Sequence, residues 1–259
     1  MTLGIIFPVY NEEKRLESGV RRTAEYAGKE LCMETHIYIV DNASSDRTGE
    51  IGRMLESEYG NVTYCRIEEK GVGAAFRKGV ELSGDDVAGY MDIDLSTDIS
   101  GLKAVERIFA GRGEYDMVNA SRFQKKSRAD GRRWYRNITS AGLVFLLKTV
   151  LGMRASDAIC GFKFFKRDTA AALIAESSGE NGWFFIIELL LRAERKGCRI
   201  YELPVRWRDD AGGSKVNVLR VTGAYLSGIR RLYREGRSME ALSEEYGLAH
   251  STIRKIIYG

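Results

Sequence analysis

Two aspartates one residue apart, Asp92 and Asp94 in the stretch MDIDLSTD, are the most chemically telling feature of this chain. On extended backbone, side chains at i and i+2 point the same way, so both carboxylates address one site. A hard divalent cation, Mg2+ or Mn2+, takes one or two such carboxylates and fills its other positions with water and phosphate oxygens. The pair therefore suggests a metal that neutralises a departing phosphate group. An acidic pair at a strand end also serves simply as a helix cap, so its neighbours decide between the two readings.

Those neighbours point to a nucleotide. In Pro8-Val9-Tyr10-Asn11-Glu12-Glu13 the proline stiffens a turn, backbone groups suit a nucleobase edge, and Tyr10 can pack beside the ring. Asp41, heading Asp41-Asn42-Ala43-Ser44-Ser45-Asp46, either accepts a base N–H or caps the helix that follows. In Lys70-Gly71-Val72-Gly73-Ala74-Ala75-Phe76-Arg77, small residues precede a helix whose N-terminus favours an anion, which makes Gly73 and Arg77 candidates. The Walker pattern GxxxxGK[ST] is absent.

Charge and composition exclude other chemistries. The net charge is +4, too small for a chain-wide polyanion binder. Residues 122–136 are nonetheless dense in Lys and Arg, with Asp130 their one acid, and read as a solvated loop or as an anion or membrane contact. The two histidines, His36 and His250, have no partner at a spacing that suits general-base catalysis. The four cysteines lack zinc-ligand spacing, and without a signal peptide they read as reduced, mostly buried thiols of a cytosolic protein. No apolar run reaches the ~18 residues of a membrane span. The nearest, 141–153, is broken by Lys148 and suits a core helix or an interfacial one equally.

The elements that must position these groups follow from the hydrophobic pattern. Strands are expected at 3–9, 35–40, 62–67 and 86–91, with helices at 12–29, 46–59 (Asp46 as N-cap) and 72–83. That alternation predicts an α/β chain with a mostly parallel, doubly wound sheet and flanking helices. Ligands bind such sheets at the carboxyl ends of the strands, where the acidic loops at residues 11–12, 41–42 and 92–94 all fall. Further on, the pattern gives strands at 116–120, 159–165 and 199–205, a basic loop to Arg133, and helices at 134–151, 184–196 and 216–234. The tail, 238–258, reads as helix–turn–helix about Gly247 and is similar to the recognition unit of resolvase-type DNA-binding domains. A complete DNA reader needs a third helix, so the tail is read as a packed hairpin and nucleic acid as an unlikely partner. The expected division is a main domain over 1–235 and a hairpin over 236–259.

PVYNEE, VDNASSDRTGE, KGVGAAFRKG and MDIDLSTD, in this order, resemble glycosyltransferase family 2, which implies the GT-A fold. Ser121-Arg122, Arg136-Asn137, DAICGFK at 157–163, WFFIIEL at 183–189, ELPV at 202–205 and Gly213-Ser214-Lys215 are similar to the polyprenyl- and dolichyl-phosphate sugar synthases. Cys160-Gly161-Phe162-Lys163 and Trp207 lean toward the dolichyl-phosphate β-glucosyltransferases. The resemblance implies that Pro8, Tyr10, Glu12 and Asp41 bind the nucleoside and that Asp92 contacts ribose, diphosphate or metal. It further implies that Asp94 ligates the metal, that Arg122, Arg136 and Ser140 hold a lipid phosphate, and that Lys215 closes the diphosphate site. Glu188 matches the family's glutamate on its helix. Ser96, Val72 and Ile186 depart from residues common in the family (Gln, Lys and Asp), which bears on the donor sugar more than on the reaction.

The implied reaction is an inverting transfer of a hexose from a nucleotide sugar, UDP-glucose or a similar UDP-hexose, to a polyprenyl or dolichyl phosphate. GDP-mannose is the alternative donor, and a DNA-binding regulator with a sugar-nucleotide sensor is the rival of another class. A nucleotidyltransferase would want a basic glycine-rich loop after the first strand, where PVYNEE is acidic. A phosphate monoester with a second pKa of about 6 is already nucleophilic near neutral pH and needs no protein base. The expected location is the cytoplasmic membrane face, held peripherally.

Overall fold

The first strand, β1 (Thr2–Val9), carries Leu3, Ile5, Ile6, Phe7 and Val9, all fully buried. A run buried on both faces is what a central parallel strand covered by helices requires. The computed structural model describes residues 1–111, 113–130, 147–148, 152–208, 223, 226, 238–245 and 247–258. After β1 come α1 (Leu16–Glu30), β2 (Glu34–Asn42), α2 (Thr48–Glu58), β3 (Val62–Ile67), α3 (Val72–Leu82) and β4 (Val87–Met91). They are followed by α4 (Gly101–Ala110), β5 (Met117–Ser121), β6 (Arg128–Asp130), β7 (Phe162–Lys166), α5 (Arg167–Ala175) and α6 (Trp183–Arg195). The described chain ends with β8 (Ile200–Pro204), β9 (Arg206–Arg208), α7 (Met239–Glu245) and α8 (His250–Tyr258).

Seven strands form one sheet in the order β3-β2-β1-β4-β7-β5-β8, and β6 pairs with β9 in a separate ribbon. β1 runs parallel to β2 and β4, β2 to β3, and β5 to β8, while β7 is antiparallel to both its neighbours. The α/β class and the mostly parallel sheet agree with expectation. Each face of the sheet has its own core. Leu3, Ile5 and Phe7 pack with Leu16, Leu55, Leu102 and Phe109 on one side. Ile6, Val40 and Tyr90 pack with Phe76, Phe165, Leu173 and Phe185 on the other.

Several sequence expectations need correction. α1 starts at Leu16, because residues 11–15 form a loop in which the Glu12 carbonyl accepts from the Arg15 and Leu16 amides. Asp46 is not the N-cap of α2: Arg47 holds that position, although Asp46 Oδ1 accepts from the Thr48 amide at 2.9 Å. Helices α4 and α5 and the β6–β9 ribbon are additions to the elements read from the sequence. Of the four cysteines, all free, only Cys160 is buried. The helices expected at 134–151 and 216–234 lie almost wholly outside the described residues. Leu147 and Met153, at the edges of the first, are buried in the core, which removes them from any interfacial face.

The tail does form two helices, turning at Gly247 with φ +60°. Leu242, Leu248, Ile253 and Ile256 share a buried cluster with α6, and Arg192 on α6 donates to the Glu244 carbonyl at 3.1 Å.

Candidate active site

β1, β2 and β4 end at Val9, Asn42 and Met91, side by side in the sheet. Just beyond them, Asn11, Ala43 and Leu95 adopt left-handed backbone, with φ of 54°, 61° and 51°. Each such non-glycine residue costs about 1–3 kcal/mol, and strain of this kind persists where the surrounding structure enforces it. All three line the mouth at which the sequence placed its acidic loops.

Asp92 leaves β4 with its amide donating to the Gly161 carbonyl at 3.0 Å, and Asp94 Oδ1 accepts from the Ser96 amide at 2.9 Å. Burial and the neighbouring Asp94 carboxylate push the Asp92 carboxyl up to about 7, against the pull of Arg122 and Lys163. A cation bound between the two carboxylates would offset that repulsion. Among the described residues no third His, Cys, Asp or Glu joins them in a metal-sized cluster. Such a donor set fits Mg2+ or Mn2+ completed by phosphate and water, and does not fit an all-protein zinc site.

Gly161 is a site residue that the motif reading quoted without giving it a role. A Cβ there would stand 1.9 Å from Asp92 Oδ2 and 2.4 Å from Oδ1. Gly161→Ala therefore has to displace the carboxylate. Because a misplacement near 1 Å costs about a hundredfold in rate, transfer is expected to fall by about that factor while far-UV circular dichroism stays unchanged.

On the nucleoside side, Tyr10 is exposed, and the Lys70 ammonium sits 5.0 Å from its ring centroid and 3.2 Å from its hydroxyl. Glu12 is clamped by Arg15 through two bonds of 2.7 and 2.8 Å, and its charge acts on Asp92. Pro8 holds the end of β1 in register with Val40. Asp41 is fully buried and already engaged: Oδ1 accepts from the Ser44 amide at 2.9 Å and Oδ2 from the Tyr64 hydroxyl at 2.8 Å. Asp41 closes the loop ahead of α2 and does not cap that helix, as one of its two expected roles would have required. The open acceptor belongs instead to the next residue. Asn42 donates through Nδ2 to the Val9 carbonyl at 3.0 Å, while its buried Oδ1 has no partner among the described residues. A buried acceptor without a donor is costly, and here it sits at the carboxyl end of β2.

Two expectations for the glycine-rich loop are revised. The Gly73 amide donates to the Asn181 carbonyl at 2.8 Å, so it is not free for an anion. Gly71, at φ +135°, abuts the same carbonyl, which closes the N-terminus of α3. Arg77 donates to the Glu180 carbonyl at 2.7 and 3.1 Å and stacks over Phe185 at 4.1 Å. The Asn181 carbonyl thus accepts from the amides of both Gly73 and Ala74.

On the other flank, Arg122 leaves β5 and closes its fork on Asp157: Nε to Oδ2 at 2.7 Å, Nη2 to Oδ1 at 2.9 Å, with the Arg122 amide adding a third bond at 3.1 Å. Its side chain is 8% exposed and that of Asp157 0%. The expected bidentate grip on a phosphate is thus already spent within the protein, and what Arg122 presents is a fixed charge beside Asp92. Lys163, wholly buried, donates to Asn119 Oδ1 at 2.6 Å and to the Cys160 carbonyl at 2.9 Å. Burial lowers its pKa and pushes the adjacent Cys160 thiol up to about 11. Glu188 is buried against Arg192 and Ser178, away from this cluster. Arg136, Ser140 and Lys215 lie outside the described residues.

Comparison with known proteins agrees with this architecture. The model of the family described as "Glycosyl transferase family 2" matches residues 4–173. Glycosyltransferase AglD of Haloferax volcanii is 32% identical over 221 residues, covering 84% of this chain and 35% of its own length. The chain thus spans about a third of that relative. A dolichyl-phosphate beta-glucosyltransferase of Dictyostelium discoideum is 26% identical, over 89% of this chain and 76% of its own. Among solved structures, the glucosyl-3-phosphoglycerate synthase of Mycobacterium tuberculosis, crystallised with Mn2+, UDP and glucosyl-3-phosphoglycerate, superposes with a TM-score of 0.60 at 16% identity, covering 86% of this chain and 75% of the other. A strand-end carboxylate pair on a mostly parallel sheet, joined to a match over residues 4–173, decides the assignment: the chain belongs to glycosyltransferase family 2.

Proposed function

We propose that this chain transfers a hexose, with inversion, from a nucleotide sugar of the UDP-hexose type to the phosphate of a polyprenyl or dolichyl lipid. The observation that carries the reading is the contact between two half-sites. The Asp92–Asp94 pair, suited to a metal-bound diphosphate, lies within electrostatic reach of the buried Arg122 cation on the acceptor flank. Support comes also from relatives named for dolichyl-phosphate glucosylation and from a neighbour of the same fold crystallised with Mn2+ and UDP.

In this reading Tyr10 and Asn42 bind the base, Tyr10 as a stacking face and Asn42 Oδ1 as acceptor of a base N–H. Pro8 and Glu12 shape that mouth, and Asp41 holds its loop. Asp92 and Asp94 hold the divalent cation, which supplies charge neutralisation for the departing nucleoside diphosphate. Arg122 provides a preorganised positive field for the acceptor phosphate, with Arg136 and Ser140 as its direct partners, and Lys215 adds a cation at the diphosphate. No protein base is required, since the acceptor phosphate enters as a dianion. A sugar acceptor held in a lipid implies peripheral contact with a bilayer.

The test is a thermal-shift panel of UDP, GDP and their hexoses with Mn2+, run on the wild type and on Asn42→Ala, beside radiolabelled transfer to polyprenyl phosphate. UDP and a UDP-hexose are expected to stabilise the wild type, and Asn42→Ala to weaken UDP by about tenfold, the worth of one buried hydrogen bond. Stabilisation by none of the nucleotides would sink the proposal.

A further inference from the structure

Many surface cations among the described residues are paired. Arg21 meets Glu58 and Glu17, Lys29 meets Glu25, Lys78 meets Glu81, Lys166 meets Asp116, and Lys196 meets Glu176. One region gathers five that have no such partner. Lys125, Lys126 and Arg128, on the segment leading into β6, and Arg206 and Arg208, on β9, are all exposed. None of the five takes part in an ion pair among the described residues. Across Phe123–Asp130 and Arg206–Arg208 these five cations stand against a single acid, Asp130.

The ribbon gathers residues nearly eighty positions apart. β6 and β9 pair parallel with Arg128 opposite Arg206 and Asp130, the one acid of the two segments, opposite Arg208. Like charges set directly across a ladder repel, and an external anion relieves that cost. Phe123 stands 37% exposed at the start of the same segment, an apolar side chain with the Arg122 guanidinium 5.8 Å from its ring centroid. The ribbon is also stitched to the metal loop. The Arg208 amide donates to the Ser96 carbonyl and the Asp98 amide to the Arg206 carbonyl, each at 2.8 Å, and Thr97 bridges to Trp207. The Arg122 guanidinium lies over the Trp207 ring at 5.7 Å. The patch therefore borders both the leaving-group loop and the acceptor flank.

We propose that the β6–β9 ribbon, with Lys125, Lys126, Arg128, Arg206, Arg208 and Phe123, docks on the anionic surface of a bilayer. Docking there turns the acceptor side of the site toward the membrane. A cluster of four to eight exposed Lys and Arg beside an apolar side chain matches an anionic lipid surface, each cation adding to the attraction within a Debye length. A polyanion such as nucleic acid would use the same charges, and heparin competition separates it from a bilayer. The proposal rests on the lipid-phosphate reading of the site, but it is tested separately.

Co-sedimentation is measured with phosphatidylcholine vesicles, with and without phosphatidylglycerol, for the wild type and for Lys125→Ala/Lys126→Ala/Arg206→Ala/Arg208→Ala. The wild type is expected to bind only the anionic vesicles and to be released by salt. The quadruple variant is expected to lose at least tenfold in partition, and Phe123→Ser to lose less. Transfer to a short, water-soluble polyprenyl phosphate is expected to stay within twofold in the quadruple variant, while transfer to a long-chain acceptor in vesicles falls about tenfold. Vesicle binding that is absent, insensitive to phosphatidylglycerol or untouched by the quadruple change overturns the docking surface. So does heparin binding that exceeds vesicle binding. Lost transfer to the soluble acceptor in the wild type would instead overturn the reaction, leaving the docking result to stand by itself.

Discussion

Asp94→Ala is expected to lower sugar transfer by about a thousandfold, with the fold intact. Asp94 is partly exposed, and its one recorded bond, from the Ser96 amide, is local to its own loop, so little stability depends on it. Its carboxylate is nonetheless half of the pair that fits a cation, and Asp92 by itself offers that cation only one carboxylate. Loss of several kcal/mol of charge stabilisation at a departing diphosphate corresponds to a factor on the order of a thousand. The measurement is initial rate against Mn2+ concentration, paired with Mn2+-dependent thermal stabilisation in the presence of UDP. The variant should keep its ligand-free melting temperature and lose the Mn2+-dependent increment. Wild-type rates with unchanged Mn2+ dependence would remove Asp94 from the site.

The second large effect falls on stability. Asp157→Ala leaves the guanidinium of Arg122 buried without its partner, a change that costs about 3–5 kcal/mol. In a domain of this size that corresponds to a fall of about 10 °C in Tm. Adding Arg122→Met should recover much of the stability, because the orphan charge is gone, but not the activity, because the acceptor flank loses its fixed cation. Acid unfolding offers an independent check. Burial alone would raise the Asp157 carboxyl, but the charge and hydrogen bonds of Arg122 outweigh it and hold the folded pKa below the ordinary carboxylate value. The contribution of a depressed carboxylate is fully present above its unfolded pKa and is lost as pH falls through the folded one. The wild type should therefore lose this increment only on strong acidification, and in Asp157→Ala the corresponding step in the stability–pH curve should be missing.

How much of this was legible beforehand varies along the chain. The strands of the first half were read closely, because β1, β2 and β4 carry apolar runs, buried on both faces, that end at polar loops. Val87–Met91 followed at once by Asp92 is the clearest case. The second half was harder. β7 is antiparallel between β4 and β5, a placement that no local period encodes. β6 and β9 are three residues each, too short to show alternation, and exist only because they find one another across the fold.

The candidate site divides in the same way. Residue type and order by themselves determined that carboxylates gather at strand ends and that a basic segment lies downstream. Those are properties of composition and spacing. Which group is free to act was settled only by tertiary contacts. Asp41 and Asn42 are adjacent and both polar, yet Asp41 has both oxygens bonded while Asn42 keeps one open. Arg122 promised a fork for phosphate, but Asp157, thirty-five residues on, occupies it. Gly73 and Arg77 looked like an anion cradle until the carbonyls of residues 178–181 took their donors. Gly161 looked like an ordinary motif glycine until Asp92 came to lie where its Cβ would be. The reason is common to all four. A sequence states which donors and acceptors a chain carries, whereas burial obliges most of them to pair, and only the folded arrangement determines which remain for a ligand.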